Sequence, residues 1–154
     1  MKLFIIRHAH AVAAADDPKR PLSDRGCKQV SRLVKFLKPS GVLATSEVWH
    51  SRLVRSKETA DLLVKKLNPK AKLVEVRGLE GEDDPNVIAN RLKQRTQPLA
   101  IVGHEPQLSA LISLLIAGEA NPPRFLLKKG AIVALEQIEG IWTVCWHVSP
   151  KILP

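Results

Sequence analysis

The stretch Lys2-Leu3-Phe4-Ile5-Ile6-Arg7-His8-Ala9-His10-Ala11 decides how the rest of the chain is read. Leu3 to Ile6 is a continuous apolar run with no polar face, the pattern of a strand covered on both sides of a sheet. The run stops at a guanidinium and an imidazole. In open α/β sheets, ligands sit beyond the carboxyl ends of the strands. A buried strand that delivers Arg7 and His8 to such an edge therefore marks a place for an anion, with a nucleophile or base beside it. Taken alone, the same pair could simply begin a solvated loop.

Outward from this strand, apolar periodicity alternates with strand-like runs. Ser23 is placed as a helix N-cap followed by Asp24, and Val30, Leu33, Val34 and Leu37 make one buried helical face, ended by Pro39-Ser40-Gly41. A second strand is expected in the later half of residues 42–50. A helix should follow from about Arg52 to Leu67, with Ala60, Leu63, Val64 and Leu67 as its core stripe. Lys72 to Val76 is a short strand, and Gly78 to Asp84 an acidic loop. Asp84 then caps a helix opened by Pro85. Leu99 to Val102 is another buried strand, and Gly103-His104 turns into a helix opened by Pro106 and continued by Leu108, Leu111, Ile112 and Leu115. Ala131 to Ile138 and Ile141 to Val148 flank Glu139-Gly140 as a hairpin. The fold class is α/β: a three-layer sandwich around a mostly parallel sheet, with a C-terminal antiparallel hairpin, in a single domain over residues 1–154.

Composition narrows the function. With 45% hydrophobic and 25% charged residues the chain reads as a soluble globule. Cys27 and Cys145 form no disulfide or metal pattern and are expected to pack as small apolar residues in a reducing compartment. Arg7 and His8 break the N-terminal apolar run too early for a signal peptide, and no segment is long enough to span a bilayer, so the chain is read as cytoplasmic and free of membrane. The net charge of +9 calls for an acidic partner. Nucleic acid is set aside, since there is no Tyr, only three Phe and no zinc-finger spacing.

Four stretches together resemble the histidine phosphatase superfamily, the phosphoglycerate mutase-like fold. They are Arg7-His8-Ala9 at the end of the first strand, Arg20-Pro21-Leu22-Ser23 ahead of Gly26, Ser51-Arg52-Leu53-Val54-Arg55 before a helix, and Gly103-His104-Glu105-Pro106 after a strand. The short chain and the Gly-His-Glu-Pro form are similar to the phosphohistidine phosphatase (SixA-type) branch. Two residues depart from the pattern: Ala9 stands where Gly is usual, and Arg52 where Pro is usual. Ala9 could narrow the pocket or shift the loop. Arg52 loses a preset helical turn and adds a cation near the expected phosphate site.

The resemblance implies a phosphatase with no cofactor and no metal. His8 would be the nucleophile, attacking phosphorus as a neutral imidazole. Its second ring nitrogen would be held by a backbone carbonyl in the Ser51 or His8 loops. Arg7 and Arg55 would grip the phosphoryl oxygens as planar forks, with His104 donating from another side, Arg20 a third cation, and Arg52 and His10 around the pocket. Mutase-like members carry a Glu as proton donor in the loop after the third strand. The matching position here is Gly81, so Glu80 and Glu82 beside it are the candidate acids, with Asp83 and Asp84 nearby. A His8-x-His10 metal site completed by His50, His104 or His147 would belong to an eight-stranded barrel of roughly 250 residues, too large for this chain. The implied reaction removes phosphate from a phosphorylated signalling or carrier protein bearing phosphohistidine. The alternatives are a general phosphatase acting on small phosphate esters, or a non-catalytic basic module binding phosphoprotein or nucleic acid.

Overall fold

The computed structural model describes residues 1–154. Six strands form one sheet: β1 (Lys2–Arg7), β2 (Glu47–His50), β3 (Lys72–Glu75), β4 (Leu99–Gly103), β5 (Ile132–Ile138) and β6 (Ile141–Val148). Their spatial order is β3-β2-β4-β1-β5-β6. The first four are mutually parallel, β5 runs antiparallel to β1, and β6 returns antiparallel to β5. The α/β sandwich with a terminal hairpin is as the sequence implied. No helix is long and apolar enough to cross a membrane.

Strand-to-strand crossovers are right-handed, so reversing the direction of travel across the sheet moves the connecting helix to the other face. The chain steps one way from β1 to β2 to β3. Helices α1 (Asp24–Leu37) and α2 (Val54–Leu67) accordingly share a face, packing on Phe4, Ile6, Val48 and Val102. It then steps back through β4 to β5, and α3 (Pro85–Leu92) and α4 (Gln107–Ala117) cover the opposite face over Leu3, Ile5, Leu99 and Ile101. Leu3 to Ile6 alternate between the two cores and are at most 2% exposed. Each such burial contributes about 2 kcal/mol. Adjacent strands β1 and β4 thus send their following loops to opposite faces. That divergence opens a crevice at their carboxyl ends, where such sheets bind ligands.

The caps and turns follow local chemistry. Ser23 accepts from the Gly26 amide at 3.2 Å, and Asp84 accepts from the Asn86 amide at 2.9 Å. The Glu139-Gly140 turn has both residues at positive φ, 51° and 82°, as a two-residue hairpin requires. Two expectations are corrected. Helix α2 starts at Val54, not Arg52, because Leu53 is extended and has no side-chain cap. Cys27 and Cys145 are both exposed. Cys27 lies off the stripe of α1 that buries Gly26, Val30, Leu33 and Leu37, and Cys145 falls at a bulge where β5 pairs Ala134 with Trp146 and Leu135 with Val144. That extra residue also breaks the alternation of β6. Trp142 and Val144 join the α4-side core, whereas Trp146 joins the α1 side.

Gly26 fixes how α1 meets the loop after β1. A Cβ there would lie 2.0 Å from the His10 carbonyl oxygen, a backbone atom that cannot swing aside. Gly26→Ala should gain about 1 kcal/mol of helix propensity but lose more to the forced shift, for a net destabilisation of about 1–3 kcal/mol by chemical denaturation. Unchanged or increased stability would mean that α1 does not hold this loop at the distance described.

Candidate active site

The crevice is built from strand ends. Arg7 pairs with Gly103 in register, so His8 and His104 emerge side by side from parallel neighbours. The His8 amide donates to the Gly103 carbonyl at 3.0 Å and closes the pair. Their rings lie 4.7 Å apart, inclined at 46°. Arg55, one residue inside the start of α2, brings a second guanidinium, and Arg20, held at φ 51° with its Nε donating to the Val12 carbonyl at 3.1 Å, brings a third. Arg7, His8, Arg20, Arg55 and His104 line one cleft of about 260 Å³, together with Gly81, Glu105 and Lys129.

The surrounding bonds orient these groups. His8 Nδ1 lies 2.7 Å from the Ala9 carbonyl. A carbonyl only accepts, so the ring proton sits on Nδ1 and the lone pair is left on Nε2. His104 Nε2 is 2.6 Å from the Ser51 hydroxyl, which accepts from the Leu53 amide and is free to donate its own proton to that nitrogen, leaving the ring N–H on Nδ1. The Ala9 amide donates to Thr59 Oγ1 at 3.1 Å, and that hydroxyl donates to the Arg55 carbonyl, tying the His8 loop to α2. Arg7 donates to the Leu127 carbonyl at 3.0 Å. The Nε atoms of Arg7 and Arg55 are buried with no acceptor in the protein. Two arginines in one cleft with unspent donors suit a ligand rich in acceptor oxygens.

Ala9 proves neutral to this geometry. It has ordinary negative φ and is wholly buried in the α1-side core, so nothing at the position demands glycine. Arg52 and His10 fall outside the cleft. Arg52 turns away and its Nε meets Glu80 at 2.6 Å. His10 bonds through Nδ1 to Ser23 Oγ at 2.7 Å and faces a neighbouring groove. Glu80 and Glu82 do not line the cleft either: Glu80 is held by Arg52, and Glu82 is exposed. The Arg52 guanidinium holds the Glu80 carboxyl below its usual range. Gly81 does reach the wall, but a Cβ there would lie 2.7 Å from the Glu105 carbonyl oxygen. No side chain fits at the position where the resemblance places an acid. His50 is buried with Nδ1 bonded to the Ser51 carbonyl, and His147 stacks edge-on against Phe125; neither lines the cleft. No three His, Cys, Asp or Glu side chains come together as a metal cage.

Sequence reasoning missed Lys129 and Glu105 as cleft residues. Lys129 arrives because β5 pairs antiparallel with β1, so the segment before Ile132 lies beside Arg7. Foreseeing that partner for β5 would have placed it. Glu105 was visible in Gly-His-Glu-Pro, but as a loop residue; its Oε1 accepts from Ser109 at 2.7 Å.

These features make a strand-end crevice suited to an oxyanion, with two imidazoles beside it. The sequence profile of the histidine phosphatase superfamily (branch 1) matches residues 3–81, and the chain belongs to that superfamily. It is 28% identical over 155 residues to the phosphohistidine phosphatase SixA of Escherichia coli K12, covering 97% of this chain and 94% of that protein. The structure of the protein histidine phosphatase SixA complexed with tungstate matches with a TM-score of 0.84 and 26% identity, over 98% of each chain. The alpha-ribazole phosphatase from Shigella flexneri matches in fold, with a TM-score of 0.78, 21% identity and 94% of each chain covered. The chain is a phosphatase by these relationships.

Burial is the main cause that pushes the His8 pKa down to about 3, with His104, Arg55 and Arg7 adding repulsion against the Ala9 carbonyl. Burial and Arg55 likewise take His104 down to about 4. An unfolded histidine titrates near 6.5. As pH falls below that value the unfolded chain takes up protons that the folded chain refuses. The two histidines therefore contribute stability above about pH 6.5 that is lost as pH drops toward 4 and 3. Imidazole nitrogen resonances of His8 and His104 in the free protein should stay neutral from pH 8 to about 5. A midpoint at 6.5 for either ring would contradict the desolvated site.

Proposed function

We propose that the chain hydrolyses phosphohistidine on a phosphorylated protein, through a phosphohistidine formed transiently on His8. The observation that carries this reading is the tautomer of His8: Nδ1–H is committed to the Ala9 carbonyl, which leaves Nε2 unprotonated beside two arginines with unspent donors. The Nε2 lone pair forms the new N–P bond as the bond to the leaving group breaks, and water then attacks phosphorus to release inorganic phosphate and restore His8. Arg7 and Arg55 hold the equatorial oxygens, with Arg20 and Lys129 at the margin and His104 donating from the opposite ring. The likeness to the phosphohistidine phosphatase supports a phosphohistidine substrate.

The missing acid supports the same substrate. A phosphorylated imidazole can take a proton from water on its far nitrogen and depart as neutral imidazole. A sugar alkoxide must be protonated on the scissile oxygen itself. With Gly81 closed to side chains and Glu80 paired with Arg52, no carboxyl from that loop lines the cleft. Glu105 lines the cleft and gives a second reading, a small-molecule phosphomonoesterase in which that carboxyl supplies the proton.

Acid-labile, base-stable phosphate should be trapped on His8 after a rapid quench, and His8→Ala should stay folded but lose turnover. Arg55→Ala should cost on the order of 3 kcal/mol of transition-state stabilisation, read from kcat/KM. Phosphohistidine peptide should be turned over far faster than a sugar phosphate, with Glu80→Gln and Glu105→Gln both near wild type on the peptide. If the sugar phosphate is the better substrate and Glu105→Gln abolishes its hydrolysis, the second reading replaces the first.

A further inference from the structure

Beside the histidine cleft lies a larger groove, and we propose that it docks an acidic helix of the phosphorylated partner, an inference that rests on the phosphoprotein reading above. Helix α1 buries Gly26, Val30, Leu33 and Leu37, so its outer face carries Arg25, Lys28 and Arg32 at i, i+3 and i+7. At 1.5 Å per residue these three cations span about 10 Å. The antiparallel entry into β5 sets Lys128 and Lys129 across from them, and Lys151 of the C-terminal turn also lines the groove. The groove has a volume of about 730 Å³, against about 260 Å³ for the histidine cleft.

No carboxylate lines it. The ion pairs of the chain are Arg52–Glu80, Lys65–Asp61 and Arg95–Glu47, so none of the seven Lys and Arg side chains lining the groove is neutralised within the protein. Like charges gathered in this way repel one another, and an anionic surface laid along them relieves that repulsion. Groove and cleft share Arg7 and Lys129, so a segment seated in one leads directly into the other. The groove wall is fixed: Gln29, between Lys28 and Arg32, accepts from the His10 amide at 2.8 Å, and Gly130 packs against its side chain.

The chemistry selects among anionic occupants. His10 is the one aromatic ring in the lining, which gives bases little to stack on. Pro150 is the one apolar side chain there, too little to enter a bilayer interface. The cations repeat at the helical interval, which matches carboxylates spaced i, i+3 and i+7 on a facing helix.

The test uses two helical peptides that share one phosphohistidine. One carries Glu at three downstream positions spaced i, i+3 and i+7, and the other carries Gln there. The wild-type protein should show at least a tenfold higher kcat/KM on the Glu peptide, arising in KM. The triple variant Arg25→Gln, Lys28→Gln, Arg32→Gln should erase that preference while hydrolysing p-nitrophenyl phosphate normally and keeping its far-ultraviolet circular dichroism. Equal turnover of both peptides by the wild-type protein overturns the proposal. If neither peptide is hydrolysed, the phosphohistidine reading is what fails, and the groove is judged by fluorescence anisotropy of the phosphate-free, labelled peptides. Tighter binding of the Glu peptide that is lost in the triple variant and in high salt then upholds the groove; indifference to Glu or Gln overturns it. A single-stranded RNA that binds more tightly through the same three residues assigns the groove to nucleic acid and also overturns the proposal.

Discussion

The parallel pairing of β1 with β4 is the constraint on which the site depends. Parallel neighbours end at the same edge, and the Arg7–Gly103 register brings the next residue of each, His8 and His104, to the same level. A slip of one residue would turn Leu3 and Ile5 toward the wrong core as well as separating the rings, so packing on both faces specifies the chemistry. The two loops then leave toward opposite layers, and the crevice between them follows from the order of the strands. The same sheet explains the cations that sequence spacing could not reach. Because β5 runs against β1, its entry delivers Lys128 and Lys129 to the edge where Arg7 and His8 leave.

Concentrating positive charge at that edge divides the titratable groups by what they can give up. Burial depresses the pKa of Arg7, Arg55 and Lys129, and neighbouring cations add to the effect at Arg55 and Lys129. A guanidinium starts so high that it keeps its charge regardless. An imidazole starts near neutrality and yields its proton instead. One electrostatic environment therefore sets permanent cations for an oxyanion beside a neutral nitrogen, with no dedicated base to remove a proton from His8. The arrangement strains the folded state, since buried like charges repel. Two apolar clusters, one on each side of the sheet, offset that cost.

Much of this was legible in the chain because its signals are local. Four apolar residues ending at Arg7-His8, a Ser23 cap over α1, a Pro85 start after Asp84 and a Glu-Gly turn each specify an element without reference to distant residues. The pocket members Arg7, His8, Arg20, Arg55 and His104 were legible through their resemblance to known motifs, and the cleft does bring their side chains together. What was not legible depends on long-range geometry. Arg52 reads as a phosphate neighbour until Glu80, 28 residues later, is found to hold it. His10 reads as a rim residue until Ser23 is seen to draw it into the adjoining groove. The two cysteines read as buried by type, but their faces are set by the α1 stripe and by a bulge that no local pattern announces.

Two features of the acid loop that look separate in the sequence act as one in space. Gly81 lies against the Glu105 carbonyl, which bars a side chain from the cleft wall, and Arg52 holds the adjacent Glu80 outward. A side chain at residue 81 would collide with backbone, and Glu80, paired with Arg52, stands outside the cleft lining. A loop that offers the cleft no carboxyl accords with the proposed leaving group, which needs no acid at the scissile atom. The same lining also bears on where binding energy comes from. A small ester in an open cleft makes few contacts away from phosphorus and stays poorly oriented. A protein substrate can supply those contacts from its own surface, and the unpaired cations of α1 lie within one continuous path of the proposed nucleophile. On the proposed reading, the lack of a carboxyl from the Gly81 loop and the uncompensated charge of the groove act together, with the partner's surface positioning the phosphoryl group.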